Sequence, residues 1–215
     1  MKSVKVKICG ITCEEDLKTV IAAGADAVGF VVGVPSSHRS LTMENARKMM
    51  QLIPIFVDGV MVVVPESTSA LLKYCEYVCP DVVQIHGDTH LDVSIIRRNF
   101  PSLKLIRAIN GEGEYAPTSL IDATEPFDAL LVDTFVQGRY GGTGLSHDWE
   151  KTRLLRQVLG SKPLILAGGL KPENVGEAIR VVQPYAVDVS SGVESHLGRK
   201  DADKVLSFIK KVKGS

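Results

Sequence analysis

Apolar residues along the chain fall into short runs, and between the runs they recur every three or four positions. Short runs bounded by turn residues read as buried strands, and the three-to-four spacing reads as helices with one apolar face. Residues 4–8 form the first such run, followed by a helical pattern over residues 14–23. The second unit pairs a strand at 27–32 with a helix at 42–52, and the third pairs 55–64 with 67–77. Residues 82–85 and 91–99 make the fourth. The fifth strand, 103–109, has the weakest helical follower, because Gly111, Gly113 and Pro117 interrupt it. After a sixth strand at 129–132 comes a glycine-rich stretch, 138–144, and then a helix starting near Asp148. The seventh strand covers 163–167, with a helix opening near Pro172, a residue suited to a first helical turn. The eighth covers 186–189, and a helix over 201–212 closes the chain. Eight strand–helix units without a break predict an α/β protein, a single-domain (β/α)8 TIM barrel spanning residues 1–215. A doubly wound open sheet is the rival, but it commonly has fewer strands.

Composition leaves this picture intact. Hydrophobic residues are 45% and charged residues 23% of the chain, as in an ordinary globular protein. Lys plus Arg and Asp plus Glu balance at 25 each, so no net field recruits nucleic acid or an anionic membrane. The basic clusters, Arg97-Arg98 and Lys210, Lys211 and Lys213, suit solvated helix C-termini. No stretch approaches the roughly 20 apolar residues of a membrane span, and no signal-peptide core precedes the first strand. The expectation is a cytoplasmic protein with no membrane partner. There Cys9, Cys13, Cys75 and Cys79 stay reduced. Both pairs are separated by three residues, unlike the tight C-x-x-C of zinc sites, and Cys75 and Cys79 at i, i+4 predict a buried helical face. No metal and no cofactor are expected.

Barrels of this kind build their sites from the C-terminal ends of strands. Strand one ends Lys7-Ile8-Cys9-Gly10, strand six ends Leu131-Val132-Asp133, strand seven runs into Gly168-Gly169, and strand eight into Ser190-Ser191-Gly192. Glycines let backbone N–H groups approach an anion and serine hydroxyls add donors, so the last two loops predict phosphate binding. A double glycine by itself is equally a turn device. Two such loops on neighbouring strands make the stronger case.

The motif Lys7-Ile8-Cys9-Gly10-Ile11-Thr12 resembles the opening of phosphoribosylanthranilate isomerases, enzymes of tryptophan biosynthesis. Gln84-Ile85-His86-Gly87, Gly141-Gly142-Thr143-Gly144, Leu166-Ala167-Gly168-Gly169-Leu170 and residues 187–194, ending Ser190-Ser191-Gly192-Val193-Glu194, continue the resemblance in order. It implies an Amadori rearrangement of phosphoribosylanthranilate to a carboxyphenylamino-deoxyribulose phosphate, with no cofactor, in a monomer or homodimer. It further implies Asp133 as general acid, Cys9 as general base, Arg39 as the holder of the anthranilate carboxylate, and Asp188 as an acidic residue of the site. Gly168, Gly169, Ser190, Ser191 and Gly192 match the phosphate loops. Leu145 stands where many family members have lysine, and Arg139 is a candidate replacement charge.

Those roles pull in opposite directions. A thiol with an ordinary pKa near 8.5 must lose its proton, and a carboxyl near 3.9 must keep one. Burial would help the carboxyl and hinder the thiol. Lys7, two residues before Cys9, faces the same side of the strand roughly 6–7 Å away. It either stabilises the thiolate or serves as a structural lysine paired with Asp58 or Asp188. Without the resemblance, Cys9 reads as a small buried hydrophobe, Asp133 as a loop cap, Arg39 as an exposed loop residue and His86 as a wall residue. The competing functions are another sugar-phosphate isomerase barrel and a non-catalytic sugar-phosphate-binding barrel, since fold alone implies no reaction.

Overall fold

A computed structural model describes residues 3–87, 90–111, 113, 117–133 and 148–214. The Gly141–Gly144 motif, Arg139 and Leu145 lie outside the described residues. Eight strands form the barrel: β1 (Lys5–Cys9), β2 (Ala27–Val32), β3 (Asp58–Val63), β4 (Val82–Ile85), β5 (Lys104–Asn110), β6 (Ala129–Asp133), β7 (Leu164–Leu166) and β8 (Ala186–Val189). Each pairs in parallel with its neighbours in sequence, and β8 pairs with β1, so the sheet has no free edge. Among the described residues the α-helices are α1 (Glu14–Ala22), α2 (Met43–Met50), α3 (Thr68–Val78), α4 (Val93–Asn99), α5 (Pro117–Thr124), α6 (Trp149–Leu159), α7 (Val175–Val182) and α8 (Ala202–Lys213).

Strand alternation sorts the side chains into two layers. Val6, Ile8, Phe30, Met61, Leu105, Leu130 and Val187 point outward into the main core beneath the helices. Each such side chain, buried completely, contributes about 1.5–3 kcal/mol. The inward set is smaller in volume and includes Val60, Val62, Ile106, Ala108, Leu131, Ile165 and Ala186, with Cys9 at its upper end. Five helices begin at a residue whose side-chain oxygen accepts from a first-turn N–H: Thr42, Ser67, Asp92, Asp148 and Asp201. Such caps contribute about 1 kcal/mol each.

The departures from the expected elements have local causes. Strand β3 starts at Asp58, where pairing with Ala27 begins, and Ile55 and Phe56 stay outside it. Phe56 sits at φ +69° with 94% of its surface exposed. Helix α5 forms despite its weak pattern, opening at Pro117, where a missing N–H costs nothing. Helix α7 begins at Val175 and not near Pro172. The side chain of Asn174 bonds the Lys171 N–H at 2.8 Å and the Gly169 carbonyl at 3.0 Å, holding the intervening residues in a turn. Cys75 is buried as expected, but Cys79 is the left-handed C-cap of α3 and exposed, so the i, i+4 pair does not share one buried face. A short hairpin, Glu194–His196 with Arg199–Lys200, follows β8, and Ser40–Leu41 adds two residues beside β2. Among the described residues no helix is long and apolar enough to cross a membrane.

Candidate active site

The C-terminal ends of the strands surround an open cavity. Cys9 from β1, Asp133 from β6, Arg39 from the loop after β2, and Gly168, Gly169, Asp188, Ser190, Ser191 and Gly192 from the last two units all line it. Every residue expected at the site therefore faces one opening. Cys9 and Asp133 stand three strands apart around the ring, on different walls of the mouth. Asp133 is half-buried, and its backbone carbonyl accepts from the Gly111 N–H at 2.7 Å.

Beneath the mouth, Lys7 and Asp188 lie opposite each other in register and form an ion pair of 2.8 Å, both nearly sealed from solvent. Asp188 is thus the structural partner that Lys7 chooses over Asp58. Burial opposes the lysine charge, but Asp188 and Cys9 outweigh it, and the ammonium is held above its ordinary pKa. The Cys9 thiol is pushed up by burial, and the nearby charges of Lys7 and Lys200 only partly offset that rise. Space for this arrangement comes from Gly29, paired with Cys9 on β2. A Cβ there would lie 2.8 Å from Cys9 Sγ and 3.0 Å from Lys7 Cε. Those two side chains therefore share the volume above Gly29, and any larger residue would displace the thiol.

Arg39 is not an exposed loop arginine. It is 5% exposed, and its Nε and Nη2 donate to the two carboxylate oxygens of Glu194 at 2.7 and 2.8 Å. Such a two-pronged pair fixes the plane of the guanidinium and leaves further N–H donors for a ligand. Lys200 Nζ adds a third bond to Glu194 at 3.1 Å and donates to the Ser190 carbonyl, also at 3.1 Å. Burial alone would raise the Glu194 carboxyl, yet the Arg39 hydrogen bonds and the Lys200 charge hold it down at about 2. The hairpin carrying Glu194 and Lys200 is tied to the first unit: the Lys200 N–H donates to buried Asp16 at 2.9 Å, and Thr12 Oγ1 donates to the Gly198 carbonyl at 2.8 Å. Arg39 also packs over Gly10, where a Cβ would fall 2.4 Å from Arg39 Cδ and 2.8 Å from Ser190 Oγ. Gly10 itself has φ +74°, so glycine is required there twice over.

The loops after β7 and β8 are pressed together. A Cβ on Gly192 would stand 1.9 Å from the Leu170 carbonyl oxygen, so the two backbones meet at the closest approach glycine allows. Gly168 and Gly169 both take positive φ, and their amides donate to no backbone carbonyl among the described residues. Ser190 Oγ and Asp188 Oδ1 are buried and have no hydrogen-bond partner among the described residues. Buried polar atoms are nearly always paired in a finished structure. Two such atoms on one wall, beside glycine amides that meet no carbonyl among the described residues, suit a polar ligand.

Sequence reasoning brought the right strand ends to this opening but missed the groups behind them. Glu194 was visible as the end of a motif, yet nothing in the sequence tied it to Arg39, 155 positions away. Gln84 likewise stood in a motif, but nothing in the sequence tied it to Lys7, 77 positions away. Together the closed parallel barrel and its polar, glycine-walled mouth define a (β/α)8-barrel protein with a small-molecule site at the C-terminal face. The family model of N-(5'phosphoribosyl)anthranilate (PRA) isomerase matches residues 6–211, and the chain belongs to that family. It is 43% identical over 97% of its length to the N-(5'-phosphoribosyl)anthranilate isomerase of Methanothrix thermoacetophila, covering 98% of that protein. Among solved structures, the phosphoribosyl anthranilate isomerase from Thermotoga maritima is similar, with a TM-score of 0.84 and 40% identity over 99% of this chain and 100% of that one. Another phosphoribosyl anthranilate isomerase, solved in complex with reduced 1-(o-carboxyphenylamino)-1-deoxyribulose 5-phosphate, gives a TM-score of 0.78 and 38% identity, covering 99% of this chain and 100% of that one.

Proposed function

We propose that this chain, as one barrel domain over residues 1–215, isomerises N-(5'-phosphoribosyl)anthranilate to 1-(2-carboxyphenylamino)-1-deoxyribulose 5-phosphate in the cytoplasm. The carrying observation is that Cys9 and Asp133 face the same opening as two buried, unpartnered polar atoms and a glycine-walled loop pair. Family membership and the product analogue bound by a relative of 38% identity support the same substrate class.

The phosphate sits against Gly168, Gly169, Ser191 and Gly192, with Ser190 Oγ as a further donor. The remaining donors of Arg39 take the anthranilate carboxylate. Asp133 gives its proton to the furanose ring oxygen. The C1–O bond breaks, and the nitrogen lone pair moves in to form the C1=N Schiff base. The Cys9 thiolate removes the proton from C2, and the C2–H electrons become the C1=C2 bond of the enolamine while the C=N electrons return to nitrogen. Tautomerisation of the enol gives the C2 ketone. Asp188, whose Oδ2 holds Lys7, offers its other oxygen to a sugar hydroxyl.

Isomerisation assays on the wild type, Cys9→Ser and Asp133→Asn test this reading. Each variant is expected to lose at least about 100-fold in kcat, the low end for removal of a positioned acid or base. Full activity in either variant overturns the mechanism, and an inactive wild type overturns the function. Sedimentation at assay concentration separates a monomer from a homodimer, the two assemblies we propose.

A further inference from the structure

The proposed mechanism uses neither Gln84 nor His86, although both line the cavity. Gln84 is buried in β4, and His86 follows two positions later on the same side of the chain. Lys7 Nζ reaches across the lumen and donates to Gln84 Oε1 at 2.9 Å while holding Asp188 Oδ2 at 2.8 Å. An ammonium has donors and no acceptor, so the amide atom facing it must be the oxygen. The amide nitrogen is then the atom 2.8 Å from His86 Nε2. An amide NH2 only donates, so Nε2 must supply a lone pair and the ring proton must sit on Nδ1.

We infer that Gln84 is a positioning residue: it locks His86 in the neutral Nδ1–H form and at the same time fixes the Lys7 ammonium beneath Cys9. His86 then carries its one ring proton on Nδ1. It cannot take a proton at Nε2 without breaking its bond to Gln84. Cys9 is left as the base on its side of the mouth, with no imidazole competing for the substrate proton. The surroundings agree. Burial, with the charges of Lys7 on β1 and Arg107 on β5, pushes the His86 ring down to about 4. Cys9, Arg39, Asp133 and Asp188 are the other ionisable groups lining the same cavity. This inference rests on the proposed reaction for its catalytic meaning, but the state of His86 is measurable without turnover.

Nitrogen NMR on protein labelled in histidine reads the tautomer directly. In the wild type, His86 is expected to show a bare Nε2 and to stay neutral well below pH 5. Gln84→Glu keeps an acceptor for Lys7 and removes the donor to His86. Its His86 should gain a proton on Nε2 and titrate about two pH units higher, within the range a neighbouring carboxylate produces. The pH profile of kcat/KM in that variant should gain an ionisation at the same point, which a merely structural role of Gln84 would not produce. An Nε2–H form in the wild type overturns the inference, as does an unmoved His86 titration in Gln84→Glu. Loss of fold in Gln84→Glu leaves the wild-type tautomer to decide alone. An inactive wild type with the expected tautomer refutes the isomerase reading and leaves the lock on His86 standing.

Discussion

Replacing Lys7 with methionine removes a charge from under the thiol while keeping a side chain of similar length. Cys9 Sγ and Lys7 Cε stand 2.8 and 3.0 Å from the point where a Gly29 Cβ would be, so thiol and ammonium are close neighbours. Opposite unit charges about 6 Å apart at an effective dielectric of about 20 attract by about 3 kcal/mol. That equals about 2 pH units on the thiol. The positive charge favours the thiolate, so its loss raises the Cys9 pKa above a value that burial already elevates. The rising limb of kcat/KM against pH reports the base of the free enzyme. It should move about 2 units to higher pH, with about 100-fold less activity at neutral pH and recovery as pH rises. The rate of Cys9 alkylation, followed against pH, should show the same displacement without any substrate. Lys7→Met also leaves Asp188 buried without its cation, an imbalance that typically costs about 3–5 kcal/mol. The double variant Lys7→Met/Asp188→Asn removes that imbalance. Because Asp188 raises the thiol pKa while Lys7 lowers it, the double variant should show a smaller shift of the same sign. Alkylation midpoints unchanged in both variants would refute the coupling and leave Lys7 as a purely structural lysine.

Three other perturbations test separate parts of the molecule. The Glu194 carboxyl is held at about 2 against an ordinary 4.5. Its folded pKa is depressed, so its contribution, on the order of 3 kcal/mol, is present above pH 4.5 and disappears as pH falls toward 2. Urea unfolding at stepped pH should show that loss in the wild type and a flatter profile in Glu194→Gln; parallel profiles would contradict the assignment. Gly192→Ala drives a Cβ into the Leu170 carbonyl and should part the two phosphate loops, weakening calorimetric binding of inorganic phosphate by about 10-fold or more, equivalent to 1.4 kcal/mol. Unchanged binding would place the anion elsewhere. Phe56→Gly relieves a left-handed backbone that costs a side-chain-bearing residue about 1–2 kcal/mol, against a glycine entropy cost of about 0.5–1 kcal/mol. The net expectation is a higher denaturant midpoint by up to about 1 kcal/mol at unchanged activity, and a lower midpoint would mean that Phe56 is buried in an assembly.

The barrel was legible because its signals are local and repeated. Each strand is a short apolar run bounded by turn residues, and Thr42, Ser67, Asp92, Asp148 and Asp201 stand at helix starts beside the residues they cap. What failed was equally local in appearance. Ile55 and Phe56 read as strand, but the register with Ala27 starts at Asp58. Pro172 read as a helix start, but Asn174 ties the preceding turn to Gly169. The site was half legible. Cys9, Asp133 and the glycine and serine loops could be placed because strand ends in a closed barrel must converge. Their electrostatic support was less legible: Lys7 could be narrowed to a pairing with Asp58 or Asp188, but Arg39–Glu194 joins residues 155 positions apart, and no periodicity encodes such a pairing.

The missing part is also the part the chemistry needs. On the proposed mechanism Asp133 must hold a proton and Cys9 must release one, and desolvation, which favours the neutral form of each, cannot achieve both. The barrel offers a geometric escape. Inward positions on neighbouring strands form layers, so a charge can be buried one layer below the thiol yet far around the ring from the acid. Lys7 occupies that place, two residues below Cys9 on β1, whereas Asp133 ends β6, three strands away. Burying a lone ammonium there would be prohibitive. Asp188, adjacent in register, and Gln84, across the lumen, make it tolerable. Each of those partners then has a polar atom left over. Among the described residues the spare Asp188 oxygen is buried and unpartnered, and the spare Gln84 nitrogen lies 2.8 Å from His86 Nε2. The lumen network therefore uses its own hydrogen-bonding capacity on the charge that the proposed thiolate base would need, and presents the remainder to the ligand side. That is why substitutions at Lys7, Gln84 and Asp188 should alter the pH dependence of the reaction and not merely its rate.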